Sequence, residues 1–229
     1  GAIAGNINLI DDGTGTLIGG ANNLTITPAL LGTPGSYGGQ TQTFALLPGS
    51  RAIDAGAAVG GGPVGNPVPA ADQRGKPRVG SPDIGAFESQ GFTLTIASGD
   101  NPSKPGNTAF APLVVTVAPV VGGESVNGGV VTFTGSGSGA DIAPDPQTAT
   151  IGATTTGQAS ITPTAIGQEG GPYTVVAAVA TGATPPSVAF SLTNIPVMLT
   201  GISPASGSIM GATLSPSPAV GSGRQQIPR

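Results

Sequence analysis

The chain contains no histidine and no cysteine. Without His, a Ser-His-Asp or Cys-His arrangement is impossible, and so is any His-ligated metal site. Without Cys there is no thiol nucleophile, zinc knuckle, iron–sulfur cluster or disulfide. Trp is also missing, and Tyr occurs only at Tyr37 and Tyr173, which is poor material for platforms that stack sugars or bases. Charged residues make up only 8% of the chain, with a net charge of −4. Seven Lys and Arg provide no basic stripe for phosphates, so no nucleic-acid partner is expected. The longest apolar run, Val175 to Ala180, is too short to span a bilayer, so no membrane span is expected. Gly1 stands first with neither Met nor a signal peptide before the first motif, as expected of an excised or processed piece.

Glycine and proline are abundant, at 40 and 23 of 229 residues. That share falls where disordered chains are found. Leu, Ile, Val and Phe nevertheless make up about 23% of the chain, and self-repulsion is weak. A Gly-rich, Val/Ile/Thr-rich, charge-poor chain reads as many short strands joined by tight turns, with an all-β fold. Sustained helical periodicity is absent.

Residues 1–50 hold short runs set off by turn chemistry. Ile7–Ile10 is followed by Asp11-Asp12-Gly13, Thr16–Ile18 by Gly19-Gly20, and Leu24–Thr27 by Pro28. Strands this short, broken by Asn, Asp and Gly, suit the coils of a parallel β-helix. Residues 51–90 concentrate charge: Arg51, Asp54, Asp72, Arg74, Lys76, Arg78, Asp83 and Glu88. Arg74, Arg78, Asp83 and Glu88 are expected to pair with one another or with backbone of the last coil, protecting an exposed strand edge. The rival reading makes Asp54, with Asp72 or Asp83, an acid–base carboxylate pair. Asp11-Asp12 reads as a turn rather than a Ca²⁺ site, because calcium takes six to eight oxygens and the local segment supplies few. No catalytic, cofactor-binding or metal-ligating residue is assigned, and no cofactor is expected.

Residues 92–194 alternate at period two in Phe92–Ile96, Leu113–Val117, Val130–Thr134, Ala159–Thr162 and Tyr173–Ala177, and Phe190–Thr193 closes the set. Turn signals separate them at Gly99–Pro102, Asn127–Gly129, Thr156–Gln158 and Gly170–Pro172, and Asn127-Gly128 reads as a hairpin. Six or seven strands in this span predict a β-sandwich with Phe133 at its centre and a structural role for Tyr173.

Two stretches resemble known families. Asn8-Leu9-Ile10-Asp11-Asp12-Gly13, Gly38–Gly56, Asp72-Gln73-Arg74-Gly75-Lys76-Pro77-Arg78 and Asp83-Ile84-Gly85-Ala86-Phe87-Glu88 occur in the order seen in the choice-of-anchor Q family of secreted bacterial proteins. Gln40 and Arg51 stand where that family often has Pro. This resemblance implies that residues 1–90 are the last coils and C-terminal cap of a right-handed parallel β-helix. Asn107-Thr108-Ala109-Phe110, Pro112–Val117, Gly128–Thr134, Gly171–Val175 and Ala189–Asn194 resemble invasin/intimin-type bacterial Ig-like domains, implying an Ig-like β-sandwich over residues 91–195. Leu199–Ser208 resembles the first strand of a TIG-type Ig-like domain, so residues 196–229 read as a flexible tail or the truncated start of a further domain.

Together these resemblances imply a non-catalytic fragment of an extracellular or cell-surface bacterial protein, an adhesin, structural stalk or scaffold. Its expected partners are host or cell-surface glycans or proteins, with self-association through exposed strand edges. The alternative is the non-catalytic C-terminal part of a secreted polysaccharide-acting β-helix lyase or hydrolase, whose catalytic coils would lie upstream.

Overall fold

The computed structural model describes residues 2–4, 6–11, 16–18, 20–26, 28–62, 67–180 and 185–198. The second half of the Asp11–Gly13 turn, the middle of the Gly60–Pro69 loop and the expected tail strand from Leu199 onward lie outside the described residues. Among the described residues every regular element is a strand, as the composition predicts.

The first four strands, β1 (Ala2–Ala4), β2 (Leu9–Ile10), β3 (Thr16–Ile18) and β4 (Leu24–Thr25), pair in parallel, β1 with β3 and β2 with β4. Parallel strands this short need the chain to come round and return in register. Asparagine holds the return. Asn8 donates its backbone N–H and its side-chain amide to Asn23 Oδ1, both at 2.9 Å, across a sequence separation of 15. Asn6 Oδ1 accepts the Ala21 N–H at 2.7 Å, and Asn22 takes the left-handed conformation that Asn tolerates. Asp11 accepts the Ala29 N–H at 3.0 Å, a role in chain reversal.

The parallel winding ends at an antiparallel pair, β5 (Leu31–Gly35) with β6 (Thr43–Leu46). Ala45, Leu46, Ala52 and Phe87 form a small core beside it. Residues 48–90 hold eight of the eighteen charged residues, and the described ones among them form no named strand.

Among the described residues ten strands follow, more than the six or seven expected, because strands of two to four residues are too short for alternation to show. They are β7 (Phe92–Ser98), β8 (Ser103–Pro105), β9 (Leu113–Pro119), β10 (Val130–Thr134), β11 (Ile142–Ala143), β12 (Gln147–Thr150), β13 (Gln158–Ile161), β14 (Thr164–Ala165), β15 (Gly170–Ala178) and β16 (Ser187–Ile195). A five-stranded sheet runs β12-β10-β15-β16-β8 and a three-stranded sheet runs β13-β9-β7, with β11 and β14 paired separately. Leu113, Val115 and Val117 from one sheet share a core with Val131, Phe133, Val175, Phe190 and Leu192 from the other. Phe133 and Phe190 meet at 6.2 Å between centroids, and burying each ring stabilises the fold by roughly 1.5–3 kcal/mol.

Two turn expectations are corrected. Asn127-Gly128 is not a hairpin, because β9 and β10 belong to different sheets. Gly128 does have positive φ, and the Asn127 side chain accepts the Gly157 N–H at 2.8 Å, so the dipeptide shapes a crossing between sheets. Gly170-Gly171-Pro172 is not a turn either. It lies inside β15, where the register with β16 slips between Gly170 and Tyr173, a bulge that the two positive-φ glycines permit. The described residues up to Val197 form one compact unit.

Candidate functional site

The densest polar cluster lies in residues 54–90, where the sequence placed its charges. Asp72 opens a tight turn: its Oδ1 accepts the N–H groups of Arg74 at 2.8 Å and Lys76 at 3.0 Å. Its Oδ2 takes the Arg74 Nε at 2.8 Å and the Glu88 N–H at 2.9 Å. Burial raises the Asp72 carboxyl, but the Glu88 and Lys76 amides and the Arg74 guanidinium outweigh it and hold the group below the usual range.

Glu88 is fully buried and pairs with Arg78 Nη1 at 2.7 Å. It also accepts the N–H groups of Val79 at 2.9 Å and Asp83 at 2.8 Å. Arg78 donates further to the carbonyls of Asp83 and Gly85. Asp83 accepts the N–H of Asp54 at 2.7 Å and of Ser89 at 2.6 Å. Burial pushes its carboxyl up to about 7 against the pull of those two amides, and the charges of Glu88 and Asp54 add to the rise. Burial and Glu88 likewise raise Asp54, opposed by the Ser81 N–H.

The expected pairing among Arg74, Arg78, Asp83 and Glu88 is present for Arg78 with Glu88. Arg74 goes elsewhere. Its guanidinium binds Asp72, reaches Glu124 at 3.1 Å, donates to the Glu88 carbonyl and lies 3.6 Å above the centre of the Phe87 ring. Tyr37 meets the same ring edge-on. Glu124 comes from the loop between β9 and β10 and also accepts the Gln90 N–H at 3.1 Å. Burial raises its carboxyl, opposed by the Gln90 amide and by Arg74, while Asp72 adds to the rise. Sequence reasoning missed Glu124. The available signal was a lone acid after Gly122-Gly123 in a stretch nearly without charge.

Each oxygen of Asp72, Asp83, Glu88 and Glu124 therefore accepts a hydrogen bond from a group of the protein itself. A general acid or base must reach the proton it moves, and these four side chains are buried. Within the rival pair, Asp83 accepts the Asp54 backbone N–H and feels the Asp54 charge, whereas Asp72 belongs to the Arg74 turn. A cleft of about 690 Å³ runs beside Arg78 and Asp83, with Ile7, Ala57, Val68 and Ile84 in its walls. Among the described residues no group of three or more acids is placed to hold a metal ion.

Tyr173 has the structural place expected of it. Its hydroxyl donates to Asn194 Oδ1 at 2.8 Å, and the Asn194 amide donates to the carbonyls of Asp141, Ile166 and Gln168. Burial pushes the Tyr173 hydroxyl up to about 12, helped by the Asp141 charge and opposed by the bond to Asn194. Compared with protein-family models, curated proteins and solved structures, the chain finds no match.

Proposed function

We propose that the chain is a non-catalytic part of an extracellular bacterial surface protein, working as an adhesin, stalk or scaffold. In this reading residues 1–90 are the end of a right-handed parallel β-helix with its cap, and residues 91–195 are an Ig-like sandwich. Parallel returns at Asn8 and Asn23 and the core shared by two sheets support it. The observation that carries it is the charge cluster. Its buried acids and arginines are used in holding residues 54–90 together and against the loop of Glu124, which is the work of a structural joint. Self-association through strand edges is selective in this picture, because the β8 edge carries Lys104 and ends in Pro105, which discourage pairing.

One observation favours a second reading. Asp83, its carboxyl pushed up to about 7, stands in the wall of the cleft beside Arg78, and acid–base work there requires its oxygens to leave the Asp54 and Ser89 amides first. A reducing-sugar assay on acidic and neutral polysaccharides separates the two. The scaffold reading expects no product. Turnover that disappears in Asp54→Ala or Asp83→Asn would overturn it.

A further inference from the structure

A second cleft, of about 540 Å³, opens between the first coil, the β5–β6 pair and residues 84–87. Its walls include Leu9, Leu31, Gln42, Phe44, Gln73 and Ile84. Phe44 stands across the strand pair from Pro34 and is 53% exposed, although every other Phe of the chain is buried. Leu31 beside it is also exposed. Among the described residues no charged side chain lines this cleft. Its polar groups are amides and a hydroxyl. Gln73 donates to Thr41 Oγ1 through Nε2, and Thr43, at the cleft, has a buried hydroxyl without a partner in the protein.

From this arrangement we infer that the cleft binds a neutral oligosaccharide through stacking on Phe44. A pyranose ring offers an apolar C–H face to an aromatic plane and a rim of hydroxyls that both donate and accept. Gln side chains also donate and accept through one group, so they match that rim without a change of charge. A uronic acid or another anionic ligand would give up hydration here without meeting a counter-charge. The volume suits a small ligand. Scarcity of aromatic residues in the chain as a whole does not count against a single ring placed at the lip of a cleft. The inference rests on the adhesin reading and gives it a ligand class.

The full chain should be titrated with cellohexaose, xylohexaose, mannohexaose and maltohexaose, and with hexagalacturonate as the acidic arm. At least one neutral hexasaccharide should bind with a Kd below roughly 1 mM. Phe44→Ala should weaken that binding about tenfold, the loss of one stacked face. Because the chain has no Trp, Phe44→Trp keeps the stacking and supplies a single indole whose emission should shift on binding. Absence of binding by every neutral sugar, binding indifferent to Phe44→Ala, or preference for hexagalacturonate would each overturn the inference. Sugar release in the same incubations would instead overturn the non-catalytic reading, so the two failures are told apart.

Discussion

Arg74 and Glu124 meet at 3.1 Å, with both side chains almost completely removed from solvent. Fifty residues apart, they join the charged segment to the loop that precedes β10. The joint is packed as well as ionic. Val130 donates its N–H to the Pro48 carbonyl at 2.9 Å, and a Cβ on Gly129 would lie 2.6 Å from Pro48 Cδ, so only glycine lets the two backbones approach this closely. Ile53 touches the cores on both sides.

Breaking this pair from the cationic side should be severe. Arg74→Ala leaves Asp72 and Glu124 buried without a counter-charge and uncovers the Phe87 ring, and removing one partner of a buried pair costs about 3–5 kcal/mol. Arg74→Lys should recover only part of this, since one ammonium cannot serve Asp72, Glu124 and the Glu88 carbonyl as a planar fork does. Urea unfolding of the three proteins checks the order. Equal stability of Arg74→Ala and the parent would show that the joint contributes nothing.

Stability should fall as pH rises from 5 to 8. An Asp83 carboxyl near 3.8 in the unfolded chain and about 7 in the folded one means that the folded form holds a proton that the unfolded form releases. Its contribution is therefore full below about 3.8 and is lost as pH climbs through 7. Asp54 and Glu124, also raised, act in the same direction. Asp72, lowered, acts oppositely at the acid end: its contribution is present above 3.8 and vanishes as pH falls through its folded value. Thermal melts across pH 5–8 should show a declining Tm, and Asp83→Asn should flatten the decline while lowering Tm throughout, because an amide nitrogen would face the N–H of Asp54 or Ser89.

Much of the strand pattern was legible because burial follows side-chain alternation. Val130–Thr134 is a strand over the span the alternation marked, and Thr16–Ile18 is one over the run that Gly19-Gly20 sets off. Partnership between strands was not legible. Asn127-Gly128 looks like a hairpin wherever it occurs, but which sheet receives the next strand depends on a core built from residues far along the chain. Gly170-Gly171-Pro172 carries the chemistry of a turn, yet a nine-residue strand absorbs it as a bulge. In the charged segment the residue types announced a polar network, whereas its outside partner did not show. A single Glu124 has no spacing relative to Arg74, and only the folded chain brings them together.

The Asn194 amide ties two loops to β16, so substitution there should act far beyond its own strand. Its side chain satisfies the carbonyls of Asp141, Ile166 and Gln168 and the hydroxyl of Tyr173 while almost fully buried. Asn194→Leu removes all four bonds, and each polar group left unsatisfied in the interior costs about 1–3 kcal/mol. Asn194→Asp keeps the bond from Tyr173 but turns a carboxylate oxygen toward carbonyls. Both variants should unfold at markedly lower urea, with Asn194→Asp partly recovering at acid pH as its carboxyl takes a proton. An Asn194→Asp protein indifferent to pH would contradict the network.

Thr43→Val should stabilise the protein, against the usual sign for a buried substitution. Thr43 is 5% exposed, and its hydroxyl meets no partner in the protein. Leaving a hydroxyl unsatisfied in the interior costs about 1–3 kcal/mol, and Val fills nearly the same volume without that group. Val also favours the extended backbone of β6, where Thr43 pairs with Gly35. A rise in Tm of a few degrees is the expected readout. A fall would mean that the hydroxyl is bonded in solution, and the Thr43→Ser variant, which keeps the hydroxyl but loses the methyl, would then be the more stable of the two.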